Sequence, residues 1–233
     1  RVAGKSMLRQ PKTASQVPVQ QLQRLRKRLH DYSSGNSTLG TTVVSSGSQE
    51  LDAILPGGGF LPGQLIEWLG EGDGSGASTL ALQAAWQAVS LGGMLAVLDH
   101  AKFFFPPAAS TLGIDLDRML LLRSGSAQEE FWALDQLLRS PEVAATWVSL
   151  GHCDDRHFRR LQLSAEQGGT LGCLVRSSRM LGRPSWAHLQ LLVRPVPLQG
   201  LVPPGNPLRQ LEITIIRCQG PGQGKQAVIC LPQ

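Results

Sequence analysis

The chain has 233 residues, of which 42% are hydrophobic and 17% charged, enough to close a core around one domain and too apolar for a disordered protein. No run approaches the roughly 18 apolar residues of a membrane span, and the start shows no signal peptide with an apolar centre. The net charge of +5 is unevenly divided: residues 1–30 carry eight bases and no acid, whereas residues 31–233 hold 14 bases against 17 acids.

In chain order, residues 1–17 form a polar tail with little periodicity. From Pro18 to His30 the pattern changes. Val19, Leu22, Leu25 and Leu29 recur at three- and four-residue steps, placing one narrow apolar stripe on a helix whose other face is rich in arginine. Such a stripe docks either on its own core or on another protein. The basic face either keeps the helix solvated or draws a polyanion through counterion release. Ser33 to Thr42 is a Ser/Gly/Asn/Thr linker. The expected division is therefore a basic arm with its linker over residues 1–42 and one α/β domain over residues 43–233.

The stretch from Ser45 to Leu80 organises that domain. It reads as a polar turn, a short apolar segment, a glycine run, a buried strand from Gln64 to Leu69, a second glycine-rich loop and the start of an apolar helix. The helix, Thr79 to Leu91, is apolar almost all round, as a covered helix should be, and Gly92-Gly93 ends it. Strands are expected at Met94–Asp99, Met119–Leu122, Ala145–Leu150 and Leu171–Val175, with a short helix from Pro106 to Leu112. A capping box from Ser126 to Glu129 opens a helix to Leu138 that turns Phe131, Leu134, Leu137 and Leu138 inward. Another helix runs from Asp155 to Gln167, with Asp154 and Asp155 at its N-cap and Gly168-Gly169 at its end. Strands alternating with helices make right-handed βαβ units and a parallel sheet. Beyond Leu181 the segments Leu189–Val193, Leu211–Arg217 and Ala227–Leu231 lack intervening helices and read as antiparallel strands finishing one edge.

Strand, glycine-rich loop and helix is the layout of a phosphate cradle, in which backbone N–H groups and a helix N-terminus face an anion. A working P-loop reads G-x-x-x-x-G-K-[ST]. Here the candidate loop residues are Gly70, Gly72, Gly74, Gly76, Ala77, Ser78 and Thr79. Five residues instead of four separate Gly70 from Gly76, and Ala77 stands where the lysine belongs. Only the hydroxyl position persists, as Ser78 followed by Thr79. Glu71 and Asp73 add negative charge where phosphate would sit.

The ordered pattern S-G-S-x-x-L-D-x-x-L, then G-G-x-L-P-x-G and an apolar-Glu-apolar-apolar-Gly strand, resembles the RecA recombinase core, most clearly over residues 44–100. With the lysine lost, the chain is most similar to the ImuA family, associated with bacterial translesion synthesis. The resemblance implies a RecA-like P-loop core with a mostly parallel sheet, antiparallel strands at its C-terminal edge and an N-terminal helical arm. In RecA a water-orienting glutamate lies two residues past an aspartate; here Asp99 matches the aspartate and Ala101 holds the glutamate position. The magnesium-associated aspartate falls at Leu150 or Gly151. Three charged groups are thus missing, each worth roughly 2–4 kcal/mol as a preorganised contact. The expectation is no catalysis and no ATP or magnesium cofactor.

Of the two mobile DNA loops of RecA, the first has no room between Leu150 and Asp155. The second corresponds to a short segment carrying Arg176, Arg179 and Arg183, which either holds phosphates or is a solvated loop. The family resemblance further implies an SOS-response adaptor whose partners are RecA, an ImuB-like inactive Y-family polymerase and an error-prone polymerase, with DNA contact weak or indirect and no membrane. On this reading Val19, Leu22, Leu25 and Leu29 dock a RecA-like neighbour. The alternatives are a divergent DNA-dependent ATPase that borrows a lysine in trans or from Lys102, and a SulA-type division inhibitor. Cys153, Cys173, Cys218 and Cys230 form no CxxC pair and no metal-ligand spacing with histidine, so free thiols in a cytoplasmic protein and no metal site are expected.

Overall fold

The computed structural model describes residues 42–72, 74–197 and 208–232. The arm, with its stripe at Val19, Leu22, Leu25 and Leu29, lies outside them. Ser48 opens the first helix among the described residues, α1 (Gln49–Ile54), by accepting a hydrogen bond from the Leu51 N–H. Asp52 in that helix accepts from Ser45 Oγ at 2.6 Å and from the Ser46 N–H at 2.7 Å. The S-G-S-x-x-L-D pattern is thus a capped helix that drives Leu51 into the core. The sequence pattern alone reads there as a turn and an apolar segment, because six residues are too few to show a helical period.

The chain continues through β1 (Leu65–Gly70), α2 (Ala77–Ser90), β2 (Met94–Leu98), α3 (Pro106–Thr111), β3 (Met119–Leu122), α4 (Ala127–Leu138), β4 (Val143–Ser149), α5 (Asp155–Gly168) and β5 (Leu171–Ser177). It then runs through β6 (Leu189–Val196), β7 (Leu208–Cys218) and β8 (Gln226–Pro232). The eight strands form one sheet in the order β3-β2-β4-β5-β1-β6-β7-β8. All pairings among β1 to β6 are parallel, and β6–β7 and β7–β8 are antiparallel.

The three strands beyond Leu181 are antiparallel to one another, as expected, and the other edge of β6 pairs parallel with β1, Ile66 standing opposite Leu189. The reason lies in the return segment 178–188, which leaves the C-terminal end of β5 and comes back along β1 with no α-helix. At its far end the His188 N–H donates to Leu65 O at 2.8 Å, and His188 Nδ1 accepts from the Leu65 N–H at 3.0 Å. That pair of bonds starts β6 level with β1.

Because side chains alternate along a strand, β1 sends Ile66 and Trp68 to one face and Leu65 and Glu67 to the other. Every residue of β1 is buried. On the Trp68 face lies α2, whose alanines Ala81, Ala84, Ala85 and Ala88 let it approach the sheet closely. On the Leu65 face lie α4 and α5. At the end of α5 two glycines do different jobs. A Cβ on Gly168 would strike Leu138 O at the end of α4, and Gly169 adopts φ +70° to close the helix with its N–H on Ala165 O. Ser126 caps α4 as expected, although Glu129 reaches back to the Gly125 N–H. Among the described residues no helix is long and apolar enough to cross a membrane.

Asp135 locks α4 to α5. Buried to 1% exposure, it receives Arg160 through two bonds (3.0 and 2.6 Å), Ser164 Oγ at 2.7 Å and Arg139 at 3.4 Å. Burial by itself would raise this carboxyl, but the bonds from Arg160 and Ser164 and the charges of Arg139 and Arg160 outweigh it and hold it below the ordinary carboxylate value. The stabilisation is therefore present above the unfolded value and lost as pH falls through the lowered folded one. Asp135→Ala is expected to cost about 2 kcal/mol in urea denaturation at pH 7, discounted for the exposure of both arginines. The gap to wild type should narrow as pH drops below about 4.

Candidate functional site

The candidate loop follows the most buried strand. Gly70 ends β1, Gly72 and Gly74 are exposed at the crest, and Gly76 caps α2 at φ +85°. Ala77 begins the helix at 1% exposure, Ser78 is exposed and Thr79 half-buried. The structure thus brings the predicted loop residues together in the expected strand–loop–helix order. Their surroundings are closely filled. A Cβ on Gly70 would collide with Ser75 Oγ, and one on Gly76 with the Leu211 side chain from β7. The Trp147 indole N–H donates to Ser78 O at 3.2 Å, tying the first turn of α2 to β4.

Two arginines from the antiparallel edge reach this loop. Arg194 Nε lies 3.1 Å from Glu71 Oε2, and both Arg209 guanidinium nitrogens lie 3.8 Å from where a Cβ on Gly74 would stand. Asp73 lies outside the described residues. No sequence signal announced either arginine, because both arrive from strands more than 120 positions further on.

The positions expected to carry catalytic carboxylates have other occupations. Asp99 follows β2, but it is buried and accepts from the Phe103 and Phe104 N–H groups at 2.8 and 3.1 Å while pairing with Arg123 at 3.3 Å. Ala101 and Lys102 are exposed, with Lys102 at φ +61°, and they extend from β2, three strand positions from β1. β4 ends at Ser149, one residue before the place inferred from sequence, so a hydroxyl terminates it. Asp154 is an N-cap as anticipated, accepting from the His157 N–H at 2.8 Å.

The three-arginine surface needs correction. Arg176 is 8% exposed and turns inward onto Glu67, itself 1% exposed, with a further bond to Gly151 O at 3.2 Å. β5 continues to Ser177, and in a strand buried on both faces Arg176 alternates into the core, away from solvent. Arg179 and Arg183 alone remain exposed on that segment. Glu67 also accepts from Ser185 Oγ and Gln190 Nε2, both at 2.6 Å. The signal for this cluster was a lone glutamate in L-I-E-W-L, since a buried charge requires a partner. On α5, Arg160 is engaged with Asp135, and Arg159 stacks on Trp186 at 4.6 Å.

The four cysteines are free, and among the described residues no cluster of His, Cys, Asp and Glu could hold a metal. Burial pushes the Cys153 thiol up to about 11 and the Cys173 thiol up to about 12.

A parallel sheet with a glycine loop and helix at the end of its central strand defines the P-loop α/β class. Within it, residues 30–149 match the RecA N-terminal domain, and the chain belongs to that family. It is 36% identical over 100 residues to the RecA protein of Rhodopirellula baltica and 36% over 101 residues to that of Streptococcus agalactiae, each match covering 43% of this chain. To RecA of Mesomycoplasma hyopneumoniae it is 34% identical over 103 residues, 44% of this chain. The chain spans 26–30% of the length of these curated relatives.

Two expectations follow from the site's geometry. Glu67→Ala strands Arg176 in the interior and should cost about 3–5 kcal/mol in urea denaturation, with Glu67→Ala/Arg176→Ala costing less than the sum of the single changes. Brief alkylation of native protein at about pH 8 should label the exposed Cys230 and spare Cys153 and Cys173, read by peptide mass spectrometry.

Proposed function

We propose that this chain is a non-catalytic RecA-fold adaptor of the SOS response, of the ImuA type. It supports translesion synthesis by protein contacts with RecA and an ImuB-like inactive polymerase, in a complex that includes an error-prone polymerase. The observation that carries this reading is the filled loop: a buried methyl begins the position of the phosphate lysine, Ser75 and Leu211 pack against the framing glycines, and Glu71 faces Arg194. Asp99, already bonded to two N–H groups and Arg123, serves to shape a turn. DNA contact, on this view, is limited to Arg179, Arg183 and the basic arm, and neither ATP nor magnesium is a cofactor.

One contact favours a second reading, a divergent ATP-binding ATPase: Arg209 beside Gly74 places a cation near the crest of the loop. Calorimetry with magnesium-ATP separates the two. The adaptor predicts no binding in the micromolar range, whereas micromolar binding that Arg209→Ala abolishes would establish the second. For the partner, purified RecA should be retained by the full chain and lost when residues 1–35 are removed. Equal capture by both forms would reject the arm, with Val19, Leu22, Leu25 and Leu29, as the docking element.

A further inference from the structure

Past the end of β2 the chain turns at Lys102, whose φ of +61° lies in the left-handed region. Among the described residues it is the only non-glycine residue with a positive φ. A long side chain adopts that conformation only where its surroundings impose it. Here they do. Buried Asp99 accepts the Phe103 and Phe104 N–H groups at 2.8 and 3.1 Å, and the Lys102 N–H donates to Asp99 O at 3.3 Å. Phe104 turns inward onto Trp147, ring centroids 5.6 Å apart, and Arg123 donates to Phe104 O at 3.4 Å. Its two neighbours turn the other way, leaving Phe103 89% and Phe105 65% exposed. Pro106 and Pro107 then open α3 and fix the exit of the loop.

Water is a poor environment for a phenyl ring, and nothing inside this chain is gained by fixing two of them there. Rings already held in place lose little freedom when covered, which is the property of an anchor in a contact surface. Exposed Pro107 and Ala108 extend the apolar patch along the chain.

The charges beside the patch say what covers it. Lys102 is exposed, and Arg123 is 46% exposed, with guanidinium N–H groups to spare beyond its bonds to Asp99 and Phe104 O. Residues 100–114 contain no acid. Asp99 and Glu130 are buried, Glu130 taking the His100 N–H at 3.0 Å, and Glu129 bonds the Gly125 N–H. The surface is thus an apolar stretch with a cationic end. A polynucleotide would need cations spread along its backbone, and two at one end make no such track. A peptide with apolar side chains and carboxylates at one end matches both parts. We propose that the Phe103–Phe105 loop docks a short acidic and apolar segment of a partner protein, whose apolar side chains cover the two rings and whose carboxylates meet Lys102 and Arg123. This inference goes beyond the adaptor reading and does not depend on it.

Fluorescence anisotropy with the full chain tests it. The probe is a labelled peptide of about 12 residues, with leucines and a tryptophan at one end and glutamates at the other. Wild type should bind it with a Kd of roughly 10–100 µM. F103A and F105A should each weaken binding about tenfold, with unchanged circular dichroism, because both rings stand in water. K102E should weaken the glutamate peptide and strengthen a counterpart carrying lysines in place of the glutamates, a reversal that the basic arm, present in every variant, cannot produce. No binding by wild type at about 1 mM peptide, F103A and F105A that bind as wild type does, or a K102E without that reversal overturns the proposal. So does a single-stranded oligothymidine that displaces the peptide and loses affinity in F103A, which would make the loop a nucleic-acid surface.

Discussion

A carboxylate in the middle of a strand buried on both faces must be answered by charge and hydrogen bonds, or the strand cannot stay where it is. Glu67 is that carboxylate, and the answer comes from three places in the chain. Arg176 arrives from β5, Gln190 from β6 and Ser185 from the return segment, while Arg176 extends the network to Gly151 after β4. The two connections that leave β4 and β5 are therefore fastened to the strand that leads into the glycine loop. Arg217 of β7 adds a bond to Ser185 O, and Arg176 lies over the Phe158 ring at 5.3 Å. One buried ion pair thus sets the relative positions of the elements around the C-terminal ends of the central strands. Its contribution is to arrangement more than to net stability, because desolvation consumes much of the Coulombic gain.

The glycine loop is shaped by steric demands of the same kind. A phosphate cradle needs glycines so that backbone can approach an anion; here the approach is made by Ser75 and Leu211. Trp147 holds the first turn of α2 from the side by bonding Ser78 O. The family relationship accounts for the fold of this loop, and its local packing accounts for why that fold persists around an alanine.

Much of the architecture was legible because it rests on local rules. Burial on both faces made the runs at β1, β2 and β4 plain, and Ser126 and Asp154 announced α4 and α5 through side chains that can only cap. The helix at Gln49–Ile54 was overlooked because six residues give no periodicity, although Ser48 three positions before Leu51 is a cap signal. The antiparallel pairing of β6, β7 and β8 was legible in their helix-free connections, whereas the parallel pairing of β6 with β1 is set by a return segment pinned by His188 and Ser185 that no sequence pattern announces. The candidate site was half legible. The sequence shows Ala77 and Ala101 at the positions compared with the lysine and the glutamate, whereas Arg194, Arg209 and Leu211 reach the loop only through the tertiary fold. Arg176 looked like a surface cation because strand length is uncertain by a residue or two, and one further residue of β5 was enough to turn it inward.

The helix-free return between β5 and β6 sets an asymmetry in what this chain can tolerate. Its ends are moored at Ser177 and at Ser185 to His188, while 181–184 are exposed between them. Added residues there would hang outward as a new appendage and leave the sheet undisturbed, so this is where a lineage could graft a recognition element at small cost. A single residue removed would drag β6 by one step and exchange Leu191 and Leu192 across the faces of the sheet. Growth is permitted at that point, and shortening is not.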